Sequence, residues 1–373
     1  MYSLLMLLLP VWTGSFVSAA PAVSKAAALS GADCTFSDVA QAIQKKASCS
    51  TITLRNLKVP AGKTLDLSNL SDGTRLVMQV IFTGRTTFGY QEWEGPLIAM
   101  SGKNIKVSGS PGNIIDCEGR RWWDGKGTNG GKKKPQFFNA HDLINSEIRN
   151  LNVLNTPAHA FSISHAENLG IFNVNIDDSA GDSLGGHNTD GFDIGNSNGI
   201  TISGCSVRNQ DDCMAINSGT NITFVNGFCS GGHGLSIGSV GFRSSNIVKG
   251  VHIANSKVTK SMNGIRIKTI AGAKGAVSDV VYDNISLSEI SGVGIVVQQD
   301  YKNGKPTGKP TTGVPITNIT VNKVTGNVKP GGTNVQVLCG SSSSCKGWTW
   351  TDNKVVDGAK SRANSAVPAG VVL

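Results

Sequence analysis

The chain has 373 residues, of which 46 are glycine and only 16% are charged. That composition suits many tight turns around a large buried interior and excludes a disordered or mainly helical chain. The formal net charge of +9 fits a polyanionic partner, whether nucleic acid, an anionic membrane or an acidic polysaccharide, and does not choose among them.

Residues 1–20, MYSLLMLLLPVWTGSFVSAA, have an apolar core followed by small residues and read as a secretory signal cut near Ala19 or Ala20, although the basic n-region is missing. The apolar run is too short to span a bilayer and is interrupted by Pro10. No later segment does better, so no membrane partner is expected. Residues 21–32 read as a small-residue propeptide, and residues 33–373 as a single mature domain.

Eight cysteines in a secreted chain imply disulfides. Cys34 and Cys49 bracket CTFSDVAQAIQKKASC, whose three-to-four spacing of apolar residues predicts a short N-terminal helix. Cys339 and Cys345 flank a Gly/Ser loop and would close a small ring. Cys117, Cys205, Cys213 and Cys229 cannot be paired by arithmetic. A zinc site is disfavoured because there is no CxxC pair. Sequons at Asn69, Asn221, Asn284 and Asn318 suit a secreted glycoprotein.

From about residue 100 the chain returns repeatedly to short β-branched runs broken by Asn, Gly and Ser, such as GITISGCSV, NITFVNG and GVHIANSKV. No helical stretch separates them, which predicts an all-β solenoid, a right-handed parallel β-helix, rather than alternating strands and helices. Ile163, Ile194, Ile216, Ile237, Ile267 and Val297 serve as landmarks of successive rungs, with Ile200 and Ile222 marking a second strand.

Four residues before three of these landmarks stand Asp190, Asp212 and His233, with Asp211 adjoining. Parallel strands lie about 4.8 Å apart, so the four form one outer column, and Arg266 and Lys268 follow on the next rung. Carboxyl groups this close raise the pKa of at least one of them by repulsion and desolvation. A protonated acid beside ionised partners is the arrangement that cleaves glycosidic bonds. His233 would tune that acid or move protons, and Arg266 and Lys268 would grip a substrate carboxylate. A lone Asp pair is usually turn chemistry, and clustered aspartates also bind calcium. The alignment over four rungs argues against the first reading, and the cations above the cluster argue against the second.

The segments HNTDGFDI (187–194), NQDDCMAINSG (209–219), CSGGHGLSIGSVG (229–241) and GIRIK (264–268) resemble, in order and spacing, the signature segments of the polygalacturonases, family 28 of the glycoside hydrolases. RRWWDGKGTNGGKKKPQF (120–137) resembles a cleft-side loop of the fungal endo-acting members, and its lysines 126 and 132–134 read either as a cleft extension or as a solvated loop. The resemblance implies inverting hydrolysis of α-1,4 bonds in polygalacturonate, the pectin backbone, by a monomer with no metal or cofactor. It implies Asp212 as general acid, Asp190 and Asp211 as the groups that hold and activate water, and His233 as support for the acid. It also implies Arg266, Lys268, Tyr301 and Asn188 as substrate-binding residues, and plant inhibitor proteins as candidate partners. Its cysteine pattern implies Cys34–Cys49, Cys205–Cys229 and Cys339–Cys345, leaving Cys117 and Cys213 as free thiols. The further cysteine pair that usually ends the fungal members has no counterpart here. Rival readings are an exo-acting or rhamnogalacturonan hydrolase, a calcium-dependent pectate lyase, and a non-catalytic pectin-binding β-helix. Nucleic acid is disfavoured, because the basic residues are not interleaved with aromatics.

Overall fold

Short β-branched runs that recur once per turn can bury their apolar faces only against the runs above and below. The computed structural model of the protein, which describes residues 32–70, 78–302, 304–359, 361–364 and 366–373, shows that stacking. The signal sequence expected at 1–20 and nearly all of the leader expected at 21–32 lie outside the described residues; Ala32 opens the first strand.

Three strand ladders run the length of the molecule. One carries Phe161–Ser164, Phe192–Gly195, Asp212–Ile216, Gly234–Val240, Asn263–Ile270 and Val293–Lys302, each parallel to the next. A second carries Glu167–Phe172, Ser197–Ser203 and Gly219–Val225, and a third Asn175–Asp177, Ser206–Arg208 and Phe228–Ser230. This is a right-handed parallel β-helix, as expected for crossovers between parallel strands. Within the expected register, Ile163 faces Ile194, which faces Ile216, then Ile237, Ile267 and Val297. Ile200 faces Ile222 on the second ladder. Phe138, Phe161 and Phe192 stack beside them, with ring centroids 5.2 and 5.4 Å apart.

Asparagine recurs where one strand bends into the next: Asn150, Asn173, Asn226, Asn255 and Asn284 all have positive φ. Its short polar side chain makes the left-handed conformation accessible at low cost. The four sequon asparagines, Asn69, Asn221, Asn284 and Asn318, stand exposed in this conformation.

The predicted helix spans Val39–Lys45 and caps the N-terminal end, with Asp38 Oδ1 accepting from Gln41 N at 2.8 Å. Among the described residues, no helix is long and apolar enough to cross a membrane.

Disulfides join Cys34 to Cys49 and Cys339 to Cys345, as expected. The third corrects the expectation: Cys229 joins Cys213, not Cys205, and the free thiols are Cys117 and Cys205. Register explains this. Cys229 lies directly opposite Val207, two residues beyond Cys205. Two residues along a strand and one strand across amount to about 8 Å, too far for a bridge. Cys213 reaches Cys229 with a Cα–Cα distance of 5.8 Å.

Candidate active site

The pairing of Asp212–Ile216 with Gly234–Val240 is interrupted between Asp212 and Met214. Cys213 is the extra residue of a β-bulge, a device that re-aims the side chains around it. Two consequences follow. Cys213 turns toward Cys229, and Asp212 is turned outward to join Asp211, which stands on the bend just before the strand, in the same outer cleft.

The bulge also shifts the column by one residue. Counting back four from Ile237 placed His233 level with Asp212, whereas His233 lies beside Asp211. Its backbone N donates to Asp211 O at 2.7 Å and its Nδ1 lies 2.8 Å from Asp211 Oδ1. Gly232 permits this approach, since a Cβ there would stand 1.9 Å from Asp211 O.

The cleft has a volume of about 1000 Å³ and is walled by Asp190, Asp211, Asp212, His233, Arg266, Lys268, Tyr301 and Asn188, so the structure brings all eight expected site residues together. Asp212 is almost fully enclosed. Its Oδ1 accepts from Ser236 Oγ at 2.7 Å and from Arg266 Nη2 at 2.7 Å, while its Oδ2 accepts from Lys268 Nζ at 2.9 Å. Burial alone would push its carboxyl up, but Arg266 and Lys268 together hold it far below the usual carboxylate range. Asp211 is likewise pushed up by burial and drawn down by the hydrogen bond from His233, and is left below its ordinary value.

Asp190 is the opposite case. Its Oδ1 is buried and accepts no hydrogen bond from the described residues. Burial, then the neighbouring charges of Asp211 and Asp193, push it well above the ordinary value. The raised carboxyl anticipated for this cluster is therefore Asp190, whereas Asp212, the residue expected to be the acid, is the most firmly ionised.

Asn188 bridges the site to the loop at 120–137. Its Nδ2 donates to Asp211 Oδ2 at 2.9 Å, and its Oδ1 accepts from Thr128 N at 3.1 Å and Asn129 Nδ2 at 3.2 Å. Three of the loop's lysines are engaged elsewhere. Lys134 is buried against Asp124 at 2.8 Å, Lys133 pairs with Glu94 at 3.0 Å, and Lys132 donates to Arg121 O at 2.9 Å. Lys268 Nζ stands 5.2 Å from the centre of the Tyr301 ring, within cation–π reach.

Sequence reasoning missed His159 and Asp193. His159 Nδ1 lies 3.0 Å from Asp193 Oδ2, and its Nε2 lies 3.6 Å from Asp190 Oδ1. Burial would lower the imidazole's pKa, but Asp193 and then Asp190 raise it to about 10. The signal was present: His159 stands four residues before Ile163, in the same column as the other site residues. Ser236, which donates to Asp212, was also missed, because nothing distinguishes a serine in a strand until its neighbours are known.

Stacked on a parallel β-helix, the carboxyl groups of Asp190, Asp193, Asp211 and Asp212 with His159, His233, Arg266 and Lys268 in one open cleft define a polysaccharide-cleaving class of protein. The profile of glycosyl hydrolases family 28 matches residues 49–372, and the chain belongs to that family. It is 56% identical over 339 residues to endopolygalacturonase 1 of Colletotrichum lindemuthianum, covering 91% of this chain and 92% of the relative. It is 57% identical over 349 residues to endopolygalacturonase B of Aspergillus niger, covering 94% of each. Among solved structures it is similar to endopolygalacturonase I from Stereum purpureum in complex with two galacturonates, at 38% identity and a TM-score of 0.81, covering 90% of this chain and 97% of that one.

Proposed function

We propose that this glycosyl hydrolase cleaves α-1,4 bonds within polygalacturonate, acting from inside the chain, by inversion, as a secreted monomer. The observation that carries the reading is the convergence of Arg266 and Lys268 on a carboxyl cluster in one cleft. Paired cations select a uronate, and clustered carboxyl groups cleave its glycosidic bond. Endo action is supported by the endo-acting relatives, which match over nine-tenths of their length. Three disulfides suit an oxidising extracellular compartment.

Asp212 protonates the glycosidic oxygen as the bond to the anomeric carbon breaks. Asp190 and Asp211 hold a water on the opposite face, and its proton passes to Asp190 as its oxygen attacks that carbon. A single displacement of this kind inverts the anomeric centre. His233 and Asn188 fix Asp211 from two sides. Tyr301 stands beside Lys268 at the uronate end of the site. The calcium-dependent lyase reading is less well supported, because Arg266 and Lys268 already fill the charged positions around Asp212.

The test is one assay on de-esterified polygalacturonate with a chelator present, following reducing ends, viscosity and the ultraviolet absorbance of unsaturated products. A steep viscosity loss with new reducing ends and no absorbance is expected. Reducing ends with little viscosity change would make the enzyme exo-acting, and absorbance that grows only after calcium is restored would make it a lyase.

A further inference from the structure

The resting geometry poses a chemical problem. An acid must carry a proton to give one, yet Asp212 already accepts from three donors: a hydroxyl and a guanidinium on one oxygen and an ammonium on the other. A base must be free of its proton, yet Asp190 has a buried oxygen with no hydrogen-bond donor among the described residues and its nearest cation 3.6 Å away. The resting contacts thus favour the proton on the base and not on the acid.

The substrate supplies what is missing. A uronate on Arg266 and Lys268 brings a negative charge to the two cations that hold Asp212 ionised. We propose that this carboxylate draws Arg266 and Lys268 off Asp212 and thereby moves the proton of the carboxyl cluster from Asp190 to Asp212, arming acid and base together only when a free uronate is bound. The inference rests on the catalytic assignment above and adds a switch to it.

The groups facing the two carboxyls favour this redistribution. Asp212 is faced by Asp190, Asp211, His233, Arg266 and Lys268, and its enclosure penalises its charge once the cations are shared. Asp190 is faced by Asp211, Asp193, Asp212 and His159. Protonation of Asp212 removes one repelling charge from Asp190, while His159 remains to stabilise the carboxylate formed there. Titrations coupled in this way move as a unit. The cycle balances. Asp212 gives its proton to the leaving oxygen, Asp190 takes one from water, and departure of the product uronate returns Arg266 and Lys268 to the new Asp212 carboxylate. A methyl ester at this position carries no charge, leaves the cations on Asp212 and leaves the acid unarmed.

The test is carbon-13 resonance of the aspartate side-chain carboxyls in the whole enzyme near pH 5, assigned with Asp212→Asn and Asp190→Asn. The probes are free galacturonate, which has no glycosidic bond to turn over, and its methyl ester. Galacturonate is expected to move the Asp212 signal toward the protonated position and the Asp190 signal toward the ionised one, with the ester moving neither. An Asp212 signal that stays ionised under saturating galacturonate would overturn the inference, as would an equal response to the ester. Full turnover by a folded Asp212→Asn enzyme would instead sink the catalytic assignment beneath it, whatever the resonances show.

Discussion

His159 presents Nδ1 to Oδ2 of Asp193 at 3.0 Å and turns its other nitrogen toward Asp190. With its pKa raised to about 10, the imidazole is a standing cation in an acidic cleft. His159→Gln removes that charge from beside Asp190, so the base is protonated at higher pH. The acid limb of kcat/KM is expected to move up by about one pH unit. His159→Arg keeps the charge and should hold the limb near its original place. A folded His159→Gln enzyme with an unshifted limb would show that the histidine only lines the cleft.

The same group makes a prediction about stability. Its folded-state pKa lies above the ordinary 6.5, so the protonated form is favoured by folding. The stabilisation is fully present below pH 6.5 and is lost as pH rises through about 10. Urea unfolding of wild type and His159→Gln across that interval should show a difference that narrows as pH climbs.

Asp178 lies outside the cleft, fully buried, accepting from Thr156 N at 2.6 Å and Thr156 Oγ1 at 2.7 Å. Burial outweighs the bonds from Thr156 and lifts its pKa from 3.8 to about 7. Here too folding favours the protonated form, so the contribution is present below pH 3.8 and is lost as pH rises through 7. Asp178→Asn cannot ionise and should relieve wild type of a loss on the order of 2–4 kcal/mol at pH 8. Melting curves at pH 4 and pH 8 check this: an Asn variant as pH-sensitive as wild type would exclude Asp178 as the source.

Peptide mapping without reduction should recover Cys213 linked to Cys229, with Cys117 and Cys205 alkylated after unfolding. Replacing both Cys213 and Cys229 with alanine opens a 16-residue loop, at a cost of about 3 kcal/mol. It should also lower kcat, because Cys213 is the bulge residue next to Asp212. Cys205→Ala should leave the disulfide and the activity in place.

Asp212→Asn keeps the shape and the oxygen that accepts from Ser236 and Arg266, loses the acceptor for Lys268, and cannot donate a proton as an acid does. Turnover of polygalacturonate is expected to fall by about 10²- to 10⁴-fold, with the fold and substrate binding retained. Circular dichroism and a binding assay on the variant separate this from simple unfolding.

Much of this molecule is legible along the chain. Ile194, Ile216 and Ile237 announce the rungs because a strand that stacks on its own kind must repeat its inward residues. The same repeat brings Asp190, Asp211, Asp212, Arg266 and Lys268 to one face. What only the tertiary structure decided are the events that break the repeat and the fields that arise between rungs. The bulge at Cys213 moves His233 from Asp212 to Asp211 and turns Cys213 toward Cys229, while the register of Ser206–Arg208 against Phe228–Ser230 keeps Cys229 away from Cys205. Likewise, the protonation order of the carboxyls depends on which cations lie within hydrogen-bond reach. Two aspartates of identical ordinary pKa separate widely because Asp212 meets Arg266 and Lys268, while Asp190 meets only the more distant His159. Periodicity fixes which residues share a face; distances of a few ångströms fix which of them holds the proton.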